Sequence, residues 1–280
     1  MPEILCVGLT TVDIIYFGAS VPRTGTKTEA AASSIDVGGP AANAAIAAAD
    51  LGTHVGLCSA VGTGPFAQFA RSELLAEGVD LLDSELVGQL PISSVFIDAN
   101  GERNVVSAHG ATATPTTPRG LTDAAASAKV VLVDGHYPDL ALTALTTAKA
   151  RGITTIIDLG SWKPALPSLL PYCDFSIASA DFTAPGEDVL SAVLSFGGSW
   201  IAVSNGAQPI VWRARDGSSG AVAVPPVDVE ATNGAGDVLH GAFAHFLADG
   251  MSPVPALTMA AELASASCTN RSARIPATAT

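Results

Sequence analysis

The chain has 280 residues, 48% of them hydrophobic, and its 26 acidic residues outnumber 13 basic ones, for a formal charge of −13. A chain of that length buries roughly three quarters of its unfolded surface, so it can fold without a partner. With no Lys/Arg cluster longer than a pair, neither nucleic acid nor an anionic membrane is an expected partner.

The first stretch, "MPEILCVGLTTVDIIYFG", lacks a basic leader and is broken by Gly8, Asp13 and Gly18. It reads as a strand rather than a signal peptide or membrane span, and no other segment approaches 18 uninterrupted apolar residues. The cysteines, Cys6, Cys58, Cys173 and Cys268, are scattered, in runs such as "ILCVGL" and "GLCSAVG". They read as small buried hydrophobes, reduced in a cytoplasmic protein.

Residues 14 to 36 break the pattern that follows. In "DVGGPAANAAIAAADLG", Gly38 and Gly39 lead to Pro40 at a first helical position, and Gly52 closes the helix of residues 41 to 51. Asn43 then sits one turn in, either projecting a bidentate amide or simply solvated beside an ordinary turn. The glycine spacing does not meet G-x-G-x-x-G.

"HVGLCSAVG" predicts a strand and residues 66 to 77 a helix. "PISSVFIDANGERNVVSAHG" alternates Ser93, Val95 and Ile97 before the hairpin signal Asn100-Gly101, which with residues 14 to 36 suggests a small antiparallel flap. "KVVLVDG", a helix over 139 to 150, "ITTIIDLG", "FSIAS", a helix over 187 to 196 and "WIAVSNG" then alternate. Continuously apolar strands between helices mean a mostly parallel sheet covered on both faces, in a single domain over 1–280 with the flap segments, roughly 14–36 and 91–110, inserted. Ligands bind beyond the carboxyl ends of such strands.

"EATNGAGDVLHGAFAHF" places Gly234, Ala235 and Gly236 before Asp237 at the start of an apolar helix. Small residues let the backbone approach a ligand, and free amides with the positive end of the helix dipole make an anion site. An ionised aspartate there can accept a hydroxyl proton while the amides stabilise a transferring phosphoryl group, the pairing that a loose phosphoryl-transfer transition state requires. On residues alone, that reading and a plain helix cap stand level. His109, His136 and His240, and Trp162 and Lys163 in "GSWKP", each suit either a packed position or a cleft contact.

"NGAGDVLHGAF" and "VGGPAANAAIAAADLG" together resemble the two signatures of the ribokinase/PfkB family of carbohydrate and nucleoside kinases, in the right order and separation, and the overall order is closest to sugar-kinase members, including ketohexokinase-like ones. The resemblance runs through the whole chain. It implies an α/β fold, a ribokinase-like three-layer α/β/α sandwich of about nine strands with a small β-sheet lid. It implies ATP as donor and Mg²⁺ held mainly through the nucleotide. Carried over by position, Asp237 matches the catalytic base and Gly234, Ala235 and Gly236 the anion hole. Asp13, Gly39 and Asn43 match sugar contacts, Arg103 a lid contact, and Ser204 and Gly206 nucleotide contacts. Asp181 stands near the acid that organises hydrated Mg²⁺, although the Asn of that motif is replaced by Ala178 or Ser179. Ala231 replaces an Asp that in many members helps bind a monovalent cation, which puts potassium (K⁺) activation in doubt, and Pro40 removes one sugar contact of ketohexokinase-like members.

The expectation is an ATP-dependent phosphotransferase acting on a hydroxyl, primary by preference, of a small sugar. The alternatives are a nucleoside kinase, for which the lid offers only Tyr16, Phe17 and Phe96 for stacking, and a catalytically silent sugar- or nucleotide-binding homologue. Apolar lid strands such as "SSVFI" have edges that a second lid could cover, so a homodimer through the lids is expected.

Overall fold

The computed structural model describes residues 1–20, 22–85, 89–99, 103–108, 115–185, 188–269 and 274–276, and only the backbone of Arg103. The chain opens with β1 (Ile4–Val7), then builds a hairpin from β2 (Thr11–Phe17) and β3 (Ala32–Gly38) before α1 (Pro40–Asp50). β4 (Val55–Ser59), α2 (Pro65–Ala76) and β5 (Val79–Asp83) precede a second pair, β6 (Ile92–Ile97) and β7 (Arg103–Ala108). Next come α3 (Leu121–Ser127), β8 (Val130–Val133), α4 (Pro138–Ala150), β9 (Thr154–Leu159), the short α5 (Leu166–Leu169), β10 (Phe175–Ser179) and α6 (Val189–Ser195). β11 (Trp200–Asn205), β12 (Gln208–Ala214), β13 (Ser219–Val222), α7 (Ala235–Ala248) and α8 (Pro253–Ser267) complete the order.

Nine strands form the main sheet in the order β13-β12-β11-β10-β9-β8-β1-β4-β5, parallel from β11 to β5 and antiparallel at β12 and β13. The inner strands β1 and β8 are apolar at every position because both faces are covered. Ile4 and Cys6 of β1, with Val130 and Leu132 of β8, face a core shared with α1, α7 and α8. Leu5 and Val7, with Val131 and Val133, face the opposite core, against α3, α4 and α5. The result is the expected three-layer sandwich.

The lid is a separate sheet in the order β3-β2-β6-β7. Three expectations about it are corrected. The opening stretch is two strands in two sheets, because the chain leaves the core at Gly8, where a Cβ would lie 2.1 Å from the Asp134 carboxylate. The flap is mixed rather than antiparallel: β2 and β6 both run outward from the core and pair in parallel, while β3 and β7 return beside them. The strand carrying "SSVFI" is internal, bonded on both sides, so the edges belong to β3 and β7. The Asn100-Gly101 turn and His109 lie outside the described residues.

Candidate active site

A cleft of about 500 Å³ opens between the carboxyl ends of β1, β8, β9, β10 and β11 and the inner face of the lid. It brings together Asp13, Gly39, Asn43, Asp181, Ser204, Gly234, Gly236 and Asp237, residues up to 224 positions apart in sequence. Ala235 contributes backbone at the first position of α7 and does not line the cleft, and Gly206 lies in the turn between β11 and β12, outside it. Arg103 is placed by its backbone on β7, opposite Ile97.

Gly234 has φ 76°, a left-handed conformation that glycine adopts without strain, and it turns the chain into α7. The helical ladder begins with Val238 N–H donating to Gly234 O at 2.9 Å. Ala235 N–H is already directed at Thr232 O, 3.4 Å away, so Gly236 and Asp237 hold the first-turn amides beyond it. A Cβ on Gly236 would meet nothing within 4 Å: the space above this turn is open.

The N-cap position of α7 is Gly234, which has no side chain to cap with; the Asp237 carboxylate, in the first turn, accepts the Asn43 amide at 2.7 Å. The two residues lie 194 positions apart. They meet because the alanine-rich α1 and the glycine of "LHGAF" let two helices cross with almost no side chain between them: a Cβ on Gly241 would be 2.3 Å from Ala44 O. Asn43 therefore lines the cleft in contact with Asp237.

The floor is held by groups the sequence reading left unassigned. Asp134, 1% exposed, accepts the backbone N–H of Leu9 at 2.8 Å, of Ala41 at 3.3 Å and of His136 at 2.9 Å. It thus ties the exit of β1, the start of α1 and the exit of β8 to one carboxylate. His240, open between a packed position and a cleft contact, is both packed and part of the cleft wall. It is buried, its Nδ1 lies 2.6 Å from Gly236 O, and its Nε2 lies 3.3 Å from Ile177 O and 3.5 Å from the Asp158 carboxylate. It braces the glycine turn at the start of α7 against β9 and β10. "VDG" and "IDLG" are the visible signals for Asp134 and Asp158, since polar residues closing an apolar parallel strand point at the ligand side.

On the lid, Asp13 accepts the Thr11 hydroxyl at 2.8 Å. Strand register sets Asp36, Asp13, Ser93 and Ser107 in one polar rung across all four strands, and Ser34, Ile15, Val95 and Val105 in the next on the same face. At the far end of the cleft, Ser179, Asp181 and Ser204 line the carboxyl ends of β10 and β11. No Phe, Tyr or Trp lines the cleft among the described residues.

A model of the pfkB family of carbohydrate kinases matches residues 1–280. The chain belongs to that family. Deoxyribokinase of Salmonella typhimurium is 28% identical over 274 residues, covering 87% of this chain and 85% of that protein. Ribokinase of Bacillus subtilis is 25% identical, covering 95% and 93%. A solved structure assigned to a ribokinase of Agrobacterium tumefaciens superposes with a TM-score of 0.88 at 26% identity over 99% of this chain and 94% of that one. Arabidopsis thaliana ribokinase, solved with ribose and ATP, superposes at 0.79 with 20% identity over 98% and 95%. The family membership makes the protein a sugar or nucleoside kinase of ribokinase-like fold, using ATP. Among the described residues no helix is long and apolar enough to cross a membrane.

Proposed function

We propose that the protein transfers the γ-phosphoryl group of ATP to a hydroxyl, primary by preference, of a small sugar, as a single cytoplasmic domain of residues 1–280 with its lid segments inserted. The observation that carries this reading is the placement of the Asp237 carboxylate, gripped by Asn43 at 2.7 Å, at the glycine turn of α7 and in one cleft with Asp13 of the lid. Asp237 takes the proton from the acceptor hydroxyl, and that oxygen attacks the γ-phosphorus as ADP leaves. The corner of Gly234, Ala235 and Gly236 forms the anion hole, in which the amides of Gly236 and Asp237, with the dipole of α7, receive the charge on the transferring group.

Asp13, Gly39, Asn43 and Arg103 hold the acceptor, and Ser204 and Gly206 the nucleotide. Mg²⁺ keeps several waters and is bound through phosphates and one or two carboxylates, and the exposed Asp181 at the far end of the cleft suits that role. When bound, the ion neutralises phosphate charge.

A sugar is preferred over a nucleoside because the cleft wall offers no aromatic ring to stack on a base, whereas the polar rung of Asp13, Ser93 and Ser107 matches hydroxyls. The apolar rung of Ile15, Val95 and Val105 suits the less hydroxylated edge of a pentose or deoxypentose, in keeping with the deoxyribokinase and ribokinase relatives. Ala231 is buried and carries a methyl where a cation-binding Asp stands in many members, so turnover is expected to be independent of potassium. The exposed apolar residues of the lid, Ile35 and Val106 among them, support a homodimer through the lids.

The test is ADP release from Mg·ATP with pentoses, deoxypentoses, hexoses and nucleosides, with and without potassium. Turnover on a sugar that falls about 10²- to 10⁴-fold in Asp237→Asn, with the fold retained, is expected. Nucleotide binding without turnover on any acceptor would make the chain a silent homologue instead.

A further inference from the structure

The cleft is strongly acidic. Asp13, Asp134, Asp158, Asp181 and Asp237 line it, yet the donor it is read to bind is a polyanion. Among the described residues that line it, Lys163 is the one lysine or arginine.

The loop after β9 is built to present that lysine. In "GSWKP" the Trp162 ring turns inward and packs on Phe182 and Phe196, with centroids 6.1 and 5.5 Å apart. Its neighbours Ser161 and Lys163 both line the cleft. The stem of Lys163 runs across Gly135, whose added Cβ would lie 3.7 Å from the lysine Cδ. Two other lysines, Lys129 and Lys149, are in ion pairs with Glu3 and Asp174. Lys163 has none among the described residues: its ammonium makes only long contacts, 3.3 Å to Ser161 O and 3.5 Å to Ser161 Oγ. An ammonium kept from carboxylates in a carboxylate-lined cleft is held for an incoming anion.

We propose that Lys163 binds the γ-phosphoryl group of the donor nucleotide and stabilises it during transfer. Its place favours this site. β9 lies between β8, beside the acceptor side, and β10, whose end carries Asp181. The turn of α7 that holds Asp237 is braced onto the same strand end through His240 and Asp158. The charge that spreads over the equatorial oxygens of a loose transition state is met on one side by the α7 amides and on the other by the Lys163 ammonium.

The inference rests on the kinase reading, and its test is separable from it. Binding of Mg·AMP-PNP and of Mg·ADP is measured by calorimetry for the wild type, Lys163→Met and Lys163→Arg, together with turnover and melting temperature. Methionine keeps the stem on Gly135 and removes the charge, so the fold persists. Lys163→Met is expected to weaken AMP-PNP at least about 10-fold, as for loss of a charge-assisted hydrogen bond, while ADP changes less than about 3-fold. Turnover on the sugar falls about 10²-fold, and Lys163→Arg recovers most of it. Equal loss for ADP and AMP-PNP, an effect on the KM of the sugar alone, or unchanged AMP-PNP binding would each overturn the proposal while leaving the kinase reading intact. A wild type that binds AMP-PNP without turnover would end the kinase reading but still decide Lys163 by binding. A wild type that binds neither nucleotide would overturn both.

Discussion

Gly241→Ala puts a single methyl between the two helices that carry Asn43 and the proposed base Asp237. Its Cβ would lie 2.3 Å from Ala44 O and 2.9 Å from the Ala47 methyl, and such atoms essentially never approach within 3.0 Å. α1 and α7 must therefore separate by about 0.7 Å or more, and Asn43, one residue before Ala44, moves away from Asp237, one turn before Gly241. Overpacking of this kind costs about 1–3 kcal/mol. Alanine gains about 1 kcal/mol over glycine in a helix interior, so the net loss is about 0–2 kcal/mol and the melting temperature falls by only a few degrees. Turnover is the sensitive readout, because a misplacement approaching 1 Å costs up to about 10²-fold. A melting scan and an ADP-release assay on the same preparation are expected to show a small thermal shift with kcat down by more than about 10-fold. Wild-type kcat with a raised melting temperature would refute the idea that close helix crossing positions the base.

The same substitution at Gly236 makes the opposite prediction. The added Cβ meets no protein atom within 4 Å, so stability holds or rises, while the methyl projects into the open space of the anion site, and ADP release is expected to fall with the fold intact. Asp134→Asn leaves one acceptor oxygen for three backbone donors, two buried and one half-buried; each orphaned buried N–H costs about 1–3 kcal/mol, so a lowered urea midpoint is expected, and an unchanged one would show that these bonds carry little. Burial pushes the Cys58 thiol up to about 12 and raises Cys6, Cys173 and Cys268 as well. Native protein should therefore resist thiol reagents near pH 8 and expose all four thiols on denaturation. Groups raised in the folded state favour folding fully below their unfolded pKa, about 8.5, and above it each withdraws up to about 1.4 kcal/mol per pH unit. Urea midpoints should fall steeply between pH 9 and 11, and flat midpoints there would contradict buried neutral thiols.

What the sequence showed and what it hid divide along a physical line. Strands such as "KVVLVDG" and the helices after Pro40, Pro65 and Pro138 were legible because their signals are local: continuous apolar runs, a proline at the first turn and a glycine just past the last. A mostly parallel sheet covered on both faces followed from their alternation, and the sandwich of about nine strands from the family resemblance. The lid was legible as an interruption but not in its pairing. Whether two outgoing strands become parallel neighbours is decided by where the core sheet releases them, and between β1 and β2 that release is marked only by Gly8 and two β-branched threonines, which suit a continuing strand.

At the site, the Gly234 to Asp237 corner was readable as chemistry because its small residues have no packing reason to precede an acid. That a distant amide grips the carboxylate could be seen only in three dimensions. The Asn43 bond that holds the carboxylate depends on Gly241 and Ala44, and in sequence each is merely one more small residue in an apolar helix. Asp134 and His240 were hidden for a related reason: each serves backbone groups of distant segments, and a backbone N–H or carbonyl has no sequence signature of its own. Lys163 shows how that blindness can be reduced. "GSWKP" gave no hint of direction until Trp162 was seen packed inward, but an aromatic anchor beside a charged residue at the end of an apolar parallel strand constrains which of the two faces the ligand side.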